Sequence, residues 1–236
     1  MAFDTILFDF DGTVFDTSPG VFNSFDYLLS HYKIDFPREK YSLMIGPPLT
    51  ESFTNILHFP AEKADEAMAV YREYYGTKGL FECEVYPGIV DLVNILHEKG
   101  KKVFIATSKP EVYANSILER KGLKNLFDFV GGSDLAEKER VEKIDIINYV
   151  LESNGLTKEG DKEKVLMVGD RKYDVKGAHA AGIKCCGILW GFGNRDEFNE
   201  CRADFICETP SDILNLVCPP PFERVNSHDI RPCRCS

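Results

Sequence analysis

The feature that most constrains this chain is a short apolar run that stops at two acids. Thr5-Ile6-Leu7-Phe8 is apolar and β-prone and reads as a buried strand. Asp9-Phe10-Asp11-Gly12-Thr13 follows at once. In an open α/β sheet, ligands bind just outside the carboxyl ends of the strands. Period-two geometry puts Asp9 and Asp11 on one side, and Gly12 permits a sharp turn beside them. Such a pair suits a hard cation and also carboxylate chemistry. Taken alone, the pentapeptide is also compatible with a solvated Asp-Gly turn. An EF-hand calcium loop is excluded, because the glycine comes two places too early and Gly20 stands where the closing Glu belongs.

The rest of the chain supplies the context for that strand. Ser18-Pro19 reads as an N-cap followed by proline at the first helical position of a helix running to about Tyr32. Helical patterns follow around Arg38 to Ile45, around Leu49 to Leu57 and from Pro60 to Tyr75, with no strand between them. From Pro87 onward helices and strands alternate. Strands are expected at Lys102 to Ala106, Phe127 to Gly131, Val165 to Val168, Ile183 to Leu189 and Asp204 to Cys207. That alternation implies an α/β fold with a doubly wound parallel sheet, a Rossmann-like core, and a helical cap inserted after the first strand. The expected division is a core of residues 1–16 and 83–217, a cap of residues 17–82, and a disordered Cys- and Pro-containing tail of residues 218–236.

Composition narrows the function. The chain of 236 residues carries Lys+Arg 28 against Asp+Glu 38, a formal net charge of −10. A nucleic-acid surface would need a basic face, so none is expected. No segment is long and apolar enough to span a bilayer, and Asp4 falls inside any supposed leader, so a cytoplasmic protein is expected. Cys185, Cys186, Cys201 and Cys207 lie in or near expected strands without zinc-like spacing and read as reduced core thiols. Cys233 and Cys235 stand too close together for a usual zinc pair.

Two further strand ends complete a constellation. Val165-Leu166-Met167-Val168 leads into Gly169-Asp170 and Asp174, and Val103-Phe104-Ile105-Ala106 delivers Thr107-Ser108-Lys109. In a parallel sheet all three ends share one rim, so Asp170 can meet Asp9 and Asp11 there. The hydroxyl and N–H groups of residues 107–109 suit phosphate oxygens.

Over about residues 3–216 the chain resembles the phosphatases of the haloacid dehalogenase superfamily. Asp9-Phe10-Asp11-Gly12-Thr13 matches that family's first motif, Thr107 its second, and Gly169-Asp170 with Asp174 its fourth. The third motif is a single lysine, placed at Lys143 with Lys138 as the alternative. The helical insertion resembles the cap of the phosphoglycolate phosphatase-like branch. The resemblance implies that Asp9 is the nucleophile, Asp11 the general acid and base, and Lys143 a charge against the phosphate. It implies Mg²⁺ held by Asp9, the Asp11 carbonyl and Asp170, with Asp174 steadying Lys143 or a metal-bound water. Gly12, Thr13, Thr107, Ser108 and Lys109 are then expected around the phosphate. The substrate is expected to be a small phosphorylated metabolite, with phosphoglycolate, a 5′-nucleotide, pyrophosphate and a sugar phosphate all open. A sugar-phosphate mutase using the same aspartyl-phosphate, or a non-catalytic phosphate-binding protein, are the rival functions. A dehalogenase is disfavoured, since it has no leaving alkoxide for Asp11 to protonate. Two segments keep double readings: Ile45 to Leu49 faces the site or is a plain turn, and Trp190 to Gly193 flanks the rim or is a plain turn.

Overall fold

In the computed structural model the described residues are 3–45, 49–135 and 138–219. The expected tail from residue 220 on, with Cys233 and Cys235, lies outside them, as do Gly46, Pro47 and Pro48.

The first strand, β1 (Thr5–Phe8), is buried along its whole length. After a tight turn comes the two-residue β2 (Phe15–Asp16). Helix α1 (Ser18–Tyr32), a 3-10 segment (Arg38–Met44), the single turn α2 (Leu49–Glu51) with a π turn (Ser52–Ile56), and α3 (Ala64–Tyr75) follow. The chain returns through β3 (Glu84–Val85). The alternating part is α4 (Ile89–Glu98), β4 (Lys102–Pro110), α5 (Glu111–Arg120), β5 (Phe129–Ser133), α6 (Lys143–Ser153), α7 (Glu159–Lys162), β6 (Val165–Gly169), α8 (Lys172–Ala181), β7 (Lys184–Ile188), α9 (Arg195–Glu200), β8 (Phe205–Cys207) and α10 (Pro210–Val217). No helix among the described residues is long and apolar enough to cross a membrane.

Six strands form one sheet in the order β5-β4-β1-β6-β7-β8, and every pairing in it is parallel. The register aligns Phe8 with Ile105 on one side and with Val168 on the other. The ends of β1, β4 and β6 therefore fall side by side, as the expectation of one shared rim requires. Alternate residues face opposite layers. Ile6 and Phe8 join a core with Leu92, Leu96, Ile117 and Ile213, whereas Leu7 joins one with Ile146, Val150, Val175 and Ala178. Burial on both faces removes any polar face from β1, which is why its sequence reads as a continuous apolar run.

Several local details differ from the sequence reading. Ser18 is not the cap of α1 but its first residue; Asp16 Oδ1 accepts its N–H at 3.0 Å and its hydroxyl at 2.6 Å. The segment at Arg38 is 3-10 rather than α, and α3 begins only at Ala64, after a 3-10 turn at Ala61–Lys63. Strand β4 runs past Ala106 to Pro110, because Thr107 pairs with Gly132 and, across a register shift, Pro110 pairs with Ser133. An antiparallel ribbon of β2 and β3, for which two residues per strand leave no period in the sequence, forms in addition to the parallel sheet. It sits where the chain leaves and re-enters the sheet-bearing part, so the two crossings satisfy one another's backbone. The six described cysteines are free thiols, and Cys186 and Cys207 meet across β7 and β8 with Sγ atoms 3.2 Å apart.

Candidate active site

At the end of β1 the backbone turns sharply. The Phe10 carbonyl accepts N–H bonds from Val14 and Phe15, and Gly12 N–H donates to the Phe15 carbonyl at 2.8 Å. Gly12 has φ +80°, and a Cβ there would lie 2.2 Å from Asp170 Oδ2. Only glycine meets both demands.

Four side chains then converge in a buried cluster. Lys143, the first residue of α6, places Nζ 2.7 Å from Asp9 Oδ1 and 2.6 Å from Asp174 Oδ1. Asp9, Asp170 and Asp174 each offer a carboxylate oxygen, all within 4.8 Å of one another. Asp170 is fully buried; its Oδ2 accepts the Phe192 N–H at 2.7 Å and its Oδ1 lies 3.5 Å from the Thr13 hydroxyl. Asp174 Oδ2 accepts the Arg171 N–H at 3.0 Å, which fixes it in the first turn of α8.

The electrostatics follow from that crowding. Burial raises the Asp9 pKa from 3.8 to about 6; Lys143 opposes the shift, while Asp174 and Asp11 add to it. Burial likewise drives Asp170 well above the usual carboxylate range, with Asp174 and Asp9 reinforcing it. For Lys143 burial opposes the charge, but Asp174 and Asp9 outweigh it and hold the ammonium form. Three buried carboxylates thus face one lysine within the cluster. A surplus of buried negative charge made only of oxygen donors, with no His or Cys, fits a hard divalent cation such as Mg²⁺.

Asp11 lies apart from that trio. Its two oxygens take an ion pair from Lys109 Nζ at 2.8 and 3.0 Å. Lys109 also lies 5.8 Å from the Phe10 ring and 5.1 Å from the Tyr75 ring. Thr107 Oγ1 accepts the Lys109 N–H at 3.2 Å, and Thr107 and Ser108 line the same cavity as Asp9 and Asp11. Gly12 and Thr13, expected around the phosphate, do not line it; they pack behind Asp170. Lys138, the alternative to Lys143, is exposed, and its backbone N–H binds the Asp134 carboxylate.

The cavity has a volume of about 120 Å³, roughly ten times what a single water needs. Sequence reasoning missed much of its wall. Val21, Met44, Tyr71 and Tyr75 come from the helical insertion, and Tyr113 and Tyr173 from α5 and α8. Ile45 and Leu49 line it, so the described ends of that segment do face the site. Arg171 also lines the cavity; its guanidinium donates to the Ile45 carbonyl and, at 3.1 Å, to Glu197. The Trp190–Gly193 loop closes behind the cluster, with Trp190 Nε1 donating to the Thr13 carbonyl at 3.0 Å. Ser133 Oγ is buried on the cavity wall with no hydrogen-bond partner among the described residues. Local periodicity carries no signal for these contacts, since each joins residues far apart in the chain.

The family model of haloacid dehalogenase-like hydrolases matches residues 6–188. A 5′-nucleotidase of Pseudomonas aeruginosa is 35% identical over 208 residues, covering 88% of this chain and 92% of that protein. The pyrophosphatase PpaX of Anoxybacillus flavithermus is 32% identical over 220 residues, covering 92% of this chain and 98% of its own. A crystal structure of a predicted phosphatase from Clostridium acetobutylicum superposes with a TM-score of 0.86 at 35% identity, over 92% of this chain and 99% of that one.

Proposed function

The chain belongs to the haloacid dehalogenase-like hydrolase family, and we propose that it is a cytoplasmic, Mg²⁺-dependent phosphatase that cleaves a small phosphate monoester through an aspartyl-phosphate on Asp9. The observation that carries this reading is the cluster in which Lys143 bridges Asp9 and Asp174 beside Asp170. Names among its relatives, a 5′-nucleotidase and a pyrophosphatase, support a phosphorylated small molecule as substrate.

The chemistry assigned to each side chain follows from its surroundings. Lys143 holds Asp9 Oδ1, which leaves Oδ2 for attack on phosphorus. As the Asp9–phosphorus bond forms, the bond to the leaving oxygen breaks, and Asp11, which takes up a proton from solvent as the incoming phosphate dianion draws Lys109 away from it, gives that proton to the leaving oxygen. Asp11 then takes a proton from the water that attacks phosphorus, and phosphate leaves as the Asp9 bond breaks. General acid–base help of this kind is worth roughly 10²–10⁴-fold. Lys109 orients Asp11 through its ion pair. Thr107 and Ser108 offer hydroxyl and N–H groups to the phosphate oxygens. Asp9, Asp170 and Asp174 would hold Mg²⁺, which supplies positive charge against the phosphate dianion. Asp174 would then serve the metal as well as Lys143, a larger part than the supporting one expected for it.

We read residues 17–82 as a cap over a core of residues 1–16 and 83–217. The ribbon of β2 and β3 at the two crossings supports this division, as does a cavity lined from both sides. Closure of the cap would exclude water while the aspartyl-phosphate forms. The test is a panel of phosphate esters with and without Mg²⁺, together with trapping of labelled phosphate on the protein. Hydrolysis that needs Mg²⁺, with label retained by the wild type and lost in Asp9→Asn, is the expected result. Metal-independent hydrolysis, or label on another residue, would overturn it.

A further inference from the structure

Beyond the carboxylates the cavity changes character. The rings of Tyr71 and Tyr75 stack at 5.4 Å with an interplanar angle of 21°, and Tyr113 meets Tyr75 edge-on at 5.8 Å. Met44, Ile45 and Leu49 complete that wall. Burial drives the Tyr71 and Tyr75 phenols well above their ordinary range, so both rings are neutral. The array begins next to the proton donor: Lys109 Nζ is 2.8 Å from Asp11 Oδ1 and 5.1 Å from the Tyr75 centroid. A leaving oxygen protonated by Asp11 therefore carries its substituent past Lys109 and onto these rings.

The same wall disfavours a second anion. Lys109 is paired with Asp11, Lys143 with Asp9 and Asp174, and Arg171 with Glu197 and the Ile45 carbonyl. Arg72, also on the wall, has a partner of its own. A carboxylate or second phosphate placed against Met44, Ile45 and Leu49 would lose its hydration for an apolar surface. A flat, uncharged ring loses little there and gains contact with the half-buried Tyr113 ring and with the rims of Tyr71 and Tyr75, whose faces are packed against other rings.

We propose that the tyrosine wall is a ring-binding subsite, and that the substrate is a nucleoside 5′-monophosphate. This rests on the phosphatase reading above. Ring-on-tyrosine contact is tolerant of which base is presented, because every base offers a π-face, so the subsite accepts purine and pyrimidine nucleotides alike.

The test uses the full chain with Mg²⁺ and compares kcat/KM for AMP, UMP, phenyl phosphate, phosphoglycolate, glycerol phosphate and pyrophosphate. Both nucleotides should exceed the three ring-free compounds by about tenfold or more. Tyr113 is only half-buried, so Tyr113→Ala should fold. That variant should raise KM for the nucleotides by about tenfold with kcat little changed, and Tyr113→Phe should restore it. Preference for phosphoglycolate would overturn the subsite while leaving the phosphatase reading intact, and preference for pyrophosphate, an anhydride, would overturn the subsite and the monoester part of that reading. So would a nucleotide-to-glycerol-phosphate ratio that Tyr113→Ala does not move. Preference for phenyl phosphate over both nucleotides would overturn the nucleoside assignment. No hydrolysis of any compound would overturn both readings.

Discussion

Asp9 carries two demands that conflict without a cation. In the mechanism proposed above it attacks in its ionised form, yet burial raises its pKa to about 6. Its folded-state pKa lies above the unfolded value of 3.8, so the folded state binds more protons between about pH 4 and 6. Stability from this group is therefore present at low pH and lost as pH rises through 6, a cost of about 3 kcal/mol at neutral pH. A divalent cation on the cluster offsets that cost only where Asp9 is ionised. The rise in Tm on adding Mg²⁺ in place of chelator should thus be larger at pH 7.5 than at pH 5. An equal or larger rise at pH 5, read by calorimetry, would show that Asp9 is not a ligand. The nucleophile itself is tested by Asp9→Asn. An amide does not attack phosphorus, so turnover should fall by roughly 10³-fold or more while circular dichroism stays unchanged.

At the scale of elements, α1 fixes where the helical insertion rests. Its first turn crosses the 3-10 turn Gly79–Phe81 so closely that a Cβ on Gly20 would sit 1.8 Å from the Gly79 carbonyl oxygen. The obstacle is backbone, which cannot rotate away as a side-chain tip can. Gly20→Ala should therefore cost about 1–3 kcal/mol by overpacking, a fall in Tm of about 3–10 °C for a chain of this size. Differential scanning fluorimetry reads this directly; an unchanged Tm would mean that α1 and the turn separate freely. The aromatic centre of the insertion, with Phe25 near Tyr41, Phe53 and Tyr71, is the packing against which such a shift would work.

Across the whole molecule, one side chain ties the two parts at the cavity. Arg171 follows Asp170 in the chain, and its guanidinium reaches the Ile45 carbonyl of the insertion while bonding Glu197. The loop that carries the buried carboxylates is thereby coupled to the segment that supplies Met44 and Ile45 to the cavity wall. Arg171→Met keeps the length and removes the donors. Hydrogen exchange should then quicken at Arg38–Ile45 but not in β1 or β6, and KM should rise several-fold. Unchanged exchange in that segment would mean that packing alone, and not Arg171, holds it over the site.

The α/β class, the strand ends and the residues set on them can be read from the order of residues along the chain. Runs such as Thr5–Phe8 and Val165–Val168 are buried on both faces, and a parallel sheet must bring their carboxyl ends to one rim. Local patterning suffices for that, which is why Asp9, Asp11, Thr107 and Asp170 are legible at strand ends; Lys143, with Lys138 as its alternative, comes only from the resemblance to the family's third motif. Tertiary structure decided what those residues touch. Asp11 meets Lys109 rather than the carboxylate trio, Asp174 joins that trio, and Thr13 turns to Asp170 instead of the cavity. The meeting of Tyr75 with Tyr113, the Arg171 contact with Ile45 and the ribbon of β2 and β3 likewise join distant stretches of chain. Pairings of that kind are set by how whole elements pack, a long-range outcome that no periodicity of 2 or 3.6 residues encodes.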